Sequence, residues 1–131
     1  MKPKLVAFIS GHRDLTEEEF NIYYKPVIDN AILNKHVFYV CDYYGADFMA
    51  QKYLKSLNYP DVIVVHMLES PRNYVGDYTL VGGFSSDEDR DAFCTGITDY
   101  DIAWSRKPGS GTERNIKRRE EINNRWVLLV L

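Results

Sequence analysis

Short uninterrupted apolar runs, each followed by a turn and a segment with helical spacing, most constrain the fold of this chain. Three such runs lie at residues 5–9, 37–41 and 62–66. A run of this kind is typical of a strand covered on both faces, as strands in parallel sheets are. Parallel neighbours need a crossover connection, and the segments between the runs can supply it. The pattern therefore predicts alternating strands and helices.

The first helical segment carries a start signal and an interruption. Thr16 with Glu19 three residues later matches a capping box, and apolar residues then recur at helical spacing. Pro26 lies inside this segment, where the ring removes a backbone donor. The helix is therefore predicted to kink or divide near Tyr24.

The middle of the chain predicts two more helices and a loop. A second helix should follow residues 45–47. Residues 70–84 contain Pro71 and three glycines without clear periodicity and are predicted to form a long loop. Ser86 precedes three acidic residues, which favour a helix start, and this third helix should end near Gly96.

The last third of the chain predicts a strand, a glycine-bearing turn, a final helix and another strand. The two strands are expected at residues 101–105 and 126–131. Five strands alternating with helices imply a doubly wound α/β fold, with a mainly parallel, five-stranded Rossmann-like sheet and helices on both faces. Ligands of such sheets lie at the carboxyl ends of the strands, where the strand order reverses.

Size and composition exclude several classes of protein. The chain has 131 residues, so a single domain over residues 1–131 is expected. Hydrophobic residues make up 45%, and the net charge of -3 argues against disorder and against long nucleic acids as partners. Cys41 and Cys94 lack metal-ligand spacing, so reduced structural thiols, no metal and no cofactor are predicted. The sequence shows neither a signal peptide nor a membrane-length apolar run, which favours a cytoplasmic protein.

Three turns carry the residues suited to ligand binding, and all three should meet at the carboxyl edge. They lie at residues 10–13, 45–47 and 108–112. In the first turn a glycine allows close backbone approach, and an arginine can bind phosphate or carboxylate. The third turn precedes a helix, whose start offers free N–H groups and a positive dipole end to a phosphate. The candidate binding residues are Ser10, Gly11, His12, Arg13, Gly45, Ala46, Pro108, Gly109, Ser110, Gly111 and Thr112.

Charged and aromatic residues near these turns are further candidates, and several of them also have a purely structural interpretation. Asp47 can hydrogen-bond a ribose hydroxyl, act on a glycosidic carbon, or only favour the start of a helix. Tyr43 and Tyr44 can stack on a base or provide surface cover. Arg106 and Arg114 are candidate anion ligands. Lys117 and Arg118 lie further along the final helix and are expected on a solvated face.

Together the three turns resemble those of the SLOG superfamily, the Rossmann-like group that includes the Lonely Guy phosphoribohydrolases and the DNA-processing protein A fold. The resemblance covers essentially the whole chain and is closest to the small single-domain YspA- and YpsA-like members. It implies a nucleotide or nucleotide-derived ligand. Lonely Guy enzymes carry P-G-G-x-G-T followed by x-E-E, whereas here Thr112 precedes Glu113, Arg114 and Asn115. One glycine of the motif is lost and the acid is out of register.

Two functions follow as hypotheses. The first is binding of a phosphorylated nucleotide or nucleotide derivative at the carboxyl edge of the sheet. The second is an N-glycosidase, phosphoribohydrolase or deoxyribosyltransferase-like enzyme acting on a nucleoside monophosphate, with Asp47 or Glu113 as the catalytic carboxylate. Residues 99–104 are also similar to the run before a glycine turn in deoxyribosyltransferase-like proteins. No membrane partner is expected, and self-association through the polar final helix is a further hypothesis.

Overall fold

Five strands alternate with helices along the chain. The computed structural model describes the backbone of residues 4–130 and the side chains of residues 4–124. The strands are β1 (Val6–Ser10), β2 (Val37–Cys41), β3 (Val62–Met67), β4 (Thr79–Phe84) and β5 (Tyr100–Ala103). The helices are α1 (Glu17–Tyr23), α2 (Lys25–Leu33), α3 (Ala46–Ser56), α4 (Asp87–Ile97) and α5 (Gly111–Val130).

The strands form one parallel sheet in the order β4-β3-β2-β1-β5. The chain moves outward from β1 to β4 and then returns to the other side of β1, where Ala7 pairs with Tyr100 of β5. The strand order therefore reverses between β1 and β5. The predicted doubly wound, Rossmann-like α/β fold is confirmed.

Apolar side chains fill both faces of the sheet. On one face Ile9, Phe38 and Val64 pack with α1, α2 and α3. On the other face Phe8 and Val65 pack with residues of α4. The α5 helix packs against α4 and β5. This arrangement covers the central strands on both sides, as their continuous apolar runs predict.

The first helical segment divides where the sequence predicts. Tyr24 is both the C-cap of α1 and the N-cap of α2, and Pro26 lies in the first turn of α2. Thr16 and Glu19 form the predicted capping box at the start of α1. The division turns the Tyr24 side chain fully into the core.

Two predicted elements are wrong. The segment 70–84 is not all loop, because its end forms β4, and residues 126–130 continue α5 instead of forming a strand. β4 lies at the sheet edge and is largely exposed, so it lacks the apolar run of a central strand. A short apolar run alone does not distinguish a strand from a helix. Leu131, the last residue of the predicted strand, lies outside the described residues.

In the described part of the chain, no helix combines the length and the apolar character that crossing a membrane requires.

Candidate functional site

Tyr24 joins the two strands between which the strand order reverses. Its hydroxyl donates to the Ser10 carbonyl at the end of β1 (2.7 Å) and accepts from the Trp104 N–H just after β5 (3.1 Å). A side chain at Gly11 would collide with this hydroxyl and with the methyl group of Ala46. Gly11 is therefore required by the packing beneath the first turn.

A cavity of about 270 Å³ opens at the carboxyl edge beside this junction. The turns after β1 and β2 and the first turns of α3, α4 and α5 surround it. The predicted site residues that line it are Ser10, Gly11, His12, Arg13, Asp47, Gly111, Thr112 and Arg114. Those that do not line it are Gly45, Ala46, Arg106, Pro108, Gly109, Ser110 and Glu113. The first turn and the start of α5 thus converge, as the sequence suggests.

Gly45 and Ala46 support the cavity from behind. Gly45 has φ 69°, and a side chain there would collide with the carbonyl oxygens of His12 and Arg13. The Ala46 N–H donates to the His12 carbonyl at 3.1 Å. These contacts fix the second turn against the first, so this glycine–alanine pair positions Asp47 at the start of α3.

The third turn forms the cap of α5. The Ser110 hydroxyl accepts from the Glu113 N–H, and the Glu113 carboxylate accepts from the Gly109 N–H, both at 3.1 Å. Glu113 also pairs with Lys117 at 3.2 Å. The Gly109 hydrogen bond and then Lys117 hold the pKa of Glu113 below its usual range. Glu113 is thus a capping residue that does not line the cavity, so it is poorly placed for the predicted catalytic role.

The start of α5 offers hydrogen-bond donors to the cavity. Within residues 4–124, no acceptor is recorded for the N–H groups of Gly111 and Thr112. The helix dipole places partial positive charge at this end. A phosphate or carboxylate is the group that such a helix start binds.

Three arginines add positive charge to the lining of the cavity. Arg13, Arg114 and Arg118 line it, and none has a carboxylate partner among the described side chains. Arg114 donates to the Gly109 carbonyl at 2.8 Å, and the Arg13 guanidinium lies 5.3 Å from the centre of the Tyr44 ring. The prediction that Arg118 belongs to a solvated face is wrong, because α5 turns it toward the cavity.

Arg106 has a structural role instead of the expected ligand contact. Its guanidinium pairs with Asp14 at 2.9 Å, and its backbone N–H donates to His12 Nε2 at 2.9 Å. Accepting this bond requires an unprotonated Nε2, so the neutral His12 ring carries its proton on Nδ1. Burial and then the Arg106 charge lower the pKa of His12, in agreement with a neutral ring.

A buried ionic network, which was not predicted from the sequence, lies beside the cavity. Asp42, fully buried at the end of β2, accepts from Arg72 Nε (3.1 Å), from the Arg72 N–H (2.9 Å) and from Arg90 Nη1 (2.8 Å). Burial opposes its ionisation, but the arginine bonds outweigh burial and lower its pKa. Arg72 thereby ties the connection between β3 and β4 to the site. A carboxylate directly after a buried strand is the signal that points to Asp42.

The network continues through α4 into α5. Arg90 pairs with Asp91 at 3.0 Å, and Asp91 accepts from Asn115 Nδ2 at 3.1 Å. Asn115 in turn accepts from Arg118 at 2.7 Å. Asp91, Asn115 and Arg90 all line the cavity. The network therefore fixes α5 relative to α4.

Asp47 is the buried carboxyl group that borders the cavity. One of its oxygens accepts from the Tyr43 N–H at 3.1 Å, and the other has no donor among the described residues. Burial raises its pKa to about 7, with Asp91 and Asp42 adding to the effect and Arg90 opposing it. The Ser10 hydroxyl nearby is also buried and has no partner in the part of the chain described. Both groups can hydrogen-bond a ligand.

A comparison with known proteins found no matching family model, no matching curated protein and no matching solved structure.

Proposed function

We propose that this chain binds a phosphorylated small molecule, a nucleotide or a nucleotide derivative, at the carboxyl edge of its sheet. The observation that carries the proposal is the anion-binding lining of the cavity. The start of α5, with two free N–H groups, lines the cavity together with Arg13, Arg114 and Arg118, which lack carboxylate partners among residues 4–124. The resemblance of the three turns to SLOG domains supports the same ligand class, and we propose membership of that superfamily.

The binding proposal is tested with one variant of the arginines and one of the α5 start. Arg13→Ala removes one cation, and Gly111→Asp adds a carboxylate at a position where a Cβ meets only Arg114 Nη2 at 3.6 Å. Hydrogen bonds to charged groups contribute about 1.5–3 kcal/mol, so each change should weaken binding about tenfold or more. Thermal shifts with AMP and with inorganic phosphate report binding, because a ligand of the folded state raises its stability.

Lys107→Ala is the matched control for charge. This lysine pairs with Asp14 outside the cavity, so its loss removes one positive charge nearby without touching the lining. We expect AMP binding to change by less than about twofold. The proposal fails if neither phosphate nor any nucleotide stabilises the wild-type protein, or if Lys107→Ala weakens binding as much as Arg13→Ala.

A nucleoside monophosphate hydrolase or transferase is the second candidate, and Asp47 is the observation that favours it. A carboxyl group with a pKa near 7 at a cavity suits proton transfer to a leaving base. Incubation with nucleoside monophosphates, followed by chromatography for released base, separates the candidates. Release that disappears in Asp47→Asn supports the enzyme. Retained binding without release of any common base leaves a binding domain.

A further inference from the structure

The lining of the cavity carries charges of both signs. Arg114 and Arg118 come from α5 and Arg13 from the turn after β1, and Arg90 of α4 lies among carboxylates of α3 and α4. The four carboxylates of the lining are Asp47, Asp87, Glu88 and Asp91.

Helix dipoles distinguish the three helices that line the cavity. The α4 helix has three acidic residues in its first turn, and α3 has Asp47 there. These carboxylates offset the positive ends of their own helices. The single first-turn acid of α5, Glu113, bonds Gly109 away from the cavity. Of these three helices, α5 therefore has the start best suited to a phosphate.

Some acceptors in the lining make no hydrogen bond or ion pair with the described residues. Asp87 and Asp91 pair with Arg90. The second oxygen of Asp47 has no donor, and Glu88 has no cationic partner, among the described residues. Asp47 is only 5% exposed and Ser10, with its unpartnered hydroxyl, only 6%. Because Asp47 lines the cavity, its second oxygen is an acceptor that a ligand can use.

We infer that the cavity selects phosphate monoesters that also carry hydrogen-bond donors, hydroxyl or amino groups, and that Asp47 is the specificity-determining residue. The inference rests on the proposed function and names its ligand class. The size of the cavity agrees with it, because about 270 Å³ lies just below the usual range for sites that enclose drug-sized ligands. One small phosphate ester fits such a volume better than a dinucleotide.

Two pairs of compounds test which donors the cavity selects. Ribose 5-phosphate and 2-deoxyribose 5-phosphate differ in one sugar hydroxyl. AMP and purine riboside 5′-monophosphate differ in the amino group of the base. Calorimetry at about pH 8, where Asp47 is mostly ionised, should give at least tenfold tighter binding for the donor-bearing member of one pair. The pair that shows the difference identifies the sugar or the base as the source of the donor.

Asp47→Asn tests the residue itself. Its amide oxygen can keep the Tyr43 N–H bond, which turns the amide NH₂ toward the cavity and replaces an acceptor by a donor. We expect the discrimination to fall to about twofold or less, while inorganic phosphate still binds, at least as tightly as to the wild type, because the change removes a negative charge from the cavity. Far-ultraviolet circular dichroism checks that the variant is folded.

The possible results distinguish a failure of this inference from a failure of the proposed function. Equal wild-type affinities within both pairs, with phosphate esters still bound, would overturn the inference and leave the proposed function standing. Unchanged discrimination in Asp47→Asn would overturn the role of Asp47. If no phosphate ester binds at all, the proposed function fails, and the inference fails with it. The wild-type comparison needs no variant, so it decides even if Asp47→Asn does not fold.

Discussion

Tyr24→Phe removes a single oxygen that joins β1 to β5 at the mouth of the site. The hydroxyl lies in the core, where burial raises its pKa and keeps it protonated. Its loss leaves the Ser10 carbonyl and the Trp104 N–H without this partner. An unsatisfied buried polar group costs about 1–3 kcal/mol. Because phenylalanine fills the same space, no large cavity adds to this cost, and we expect a loss of about 2 kcal/mol in the free energy of unfolding.

Urea titration and thermal unfolding measure this loss. For a domain of this size, about 2 kcal/mol corresponds to a fall of roughly 6–10 °C in the midpoint temperature. Tyr44→Phe is the matched control, because Tyr44 is 50% exposed and makes no hydrogen bond through its hydroxyl among the described residues. We expect the control to stay within about 0.5 kcal/mol of the wild type. A Tyr24→Phe loss no larger than that of the control would refute the bridging role.

Two further predictions concern buried carboxylates. Asp42→Asn should lower the free energy of unfolding in urea by about 3 kcal/mol, because it leaves two arginines short of a partner. The control Asp61→Asn removes an exposed pair with Lys4 and should cost under about 1 kcal/mol. Equal losses would contradict the network. Folding raises the pKa of Asp47 from 3.8 to about 7, so the folded state binds this proton more tightly and wild-type stability from this group falls as pH rises through that window. The stability of Asp47→Asn relative to the wild type should therefore increase from about pH 4 to pH 7, and a constant difference across these pH values would argue against the raised pKa.

The central part of the fold could be predicted because its signals are local. The runs at 5–9, 37–41 and 62–66 each form a strand, and the Thr16 capping box starts α1. The errors arise where tertiary context decides. β4 is an exposed edge strand stabilised by pairing with β3. Gly82 in it faces the His66 ring, so this glycine indicates close packing where the sequence suggests a loop.

The candidate site was predicted in part, for a similar reason. The first turn and the start of α5 follow from the rule that ligands lie at the carboxyl ends of parallel strands. The role of Arg106 depends on partners distant in sequence, and that of Glu113 on the cap geometry of α5, so neither contact can be predicted from the sequence. Arg118 lines the cavity because Asn115 of α5 donates to Asp91 of α4 and accepts from Arg118. Helical spacing alone does not predict this orientation.

Asp42 and Asp47 show how burial and partners divide the work of two neighbouring carboxylates. An acid at or after the end of the second strand commonly binds ribose in Rossmann-like sites, and Asp42 holds that position here. Its oxygens already accept from Arg72 and Arg90, and it is fully buried, so it has no capacity left for a ligand. Asp47 is almost as buried but has one oxygen without a donor among the described residues, and no arginine pairs with it there. Under the proposed function, we therefore expect the ligand contact at the first turn of α3 and not at the strand end. Because burial alone would favour the protonated form of both groups, the arginines decide which of them stays charged and which can exchange a proton with a ligand.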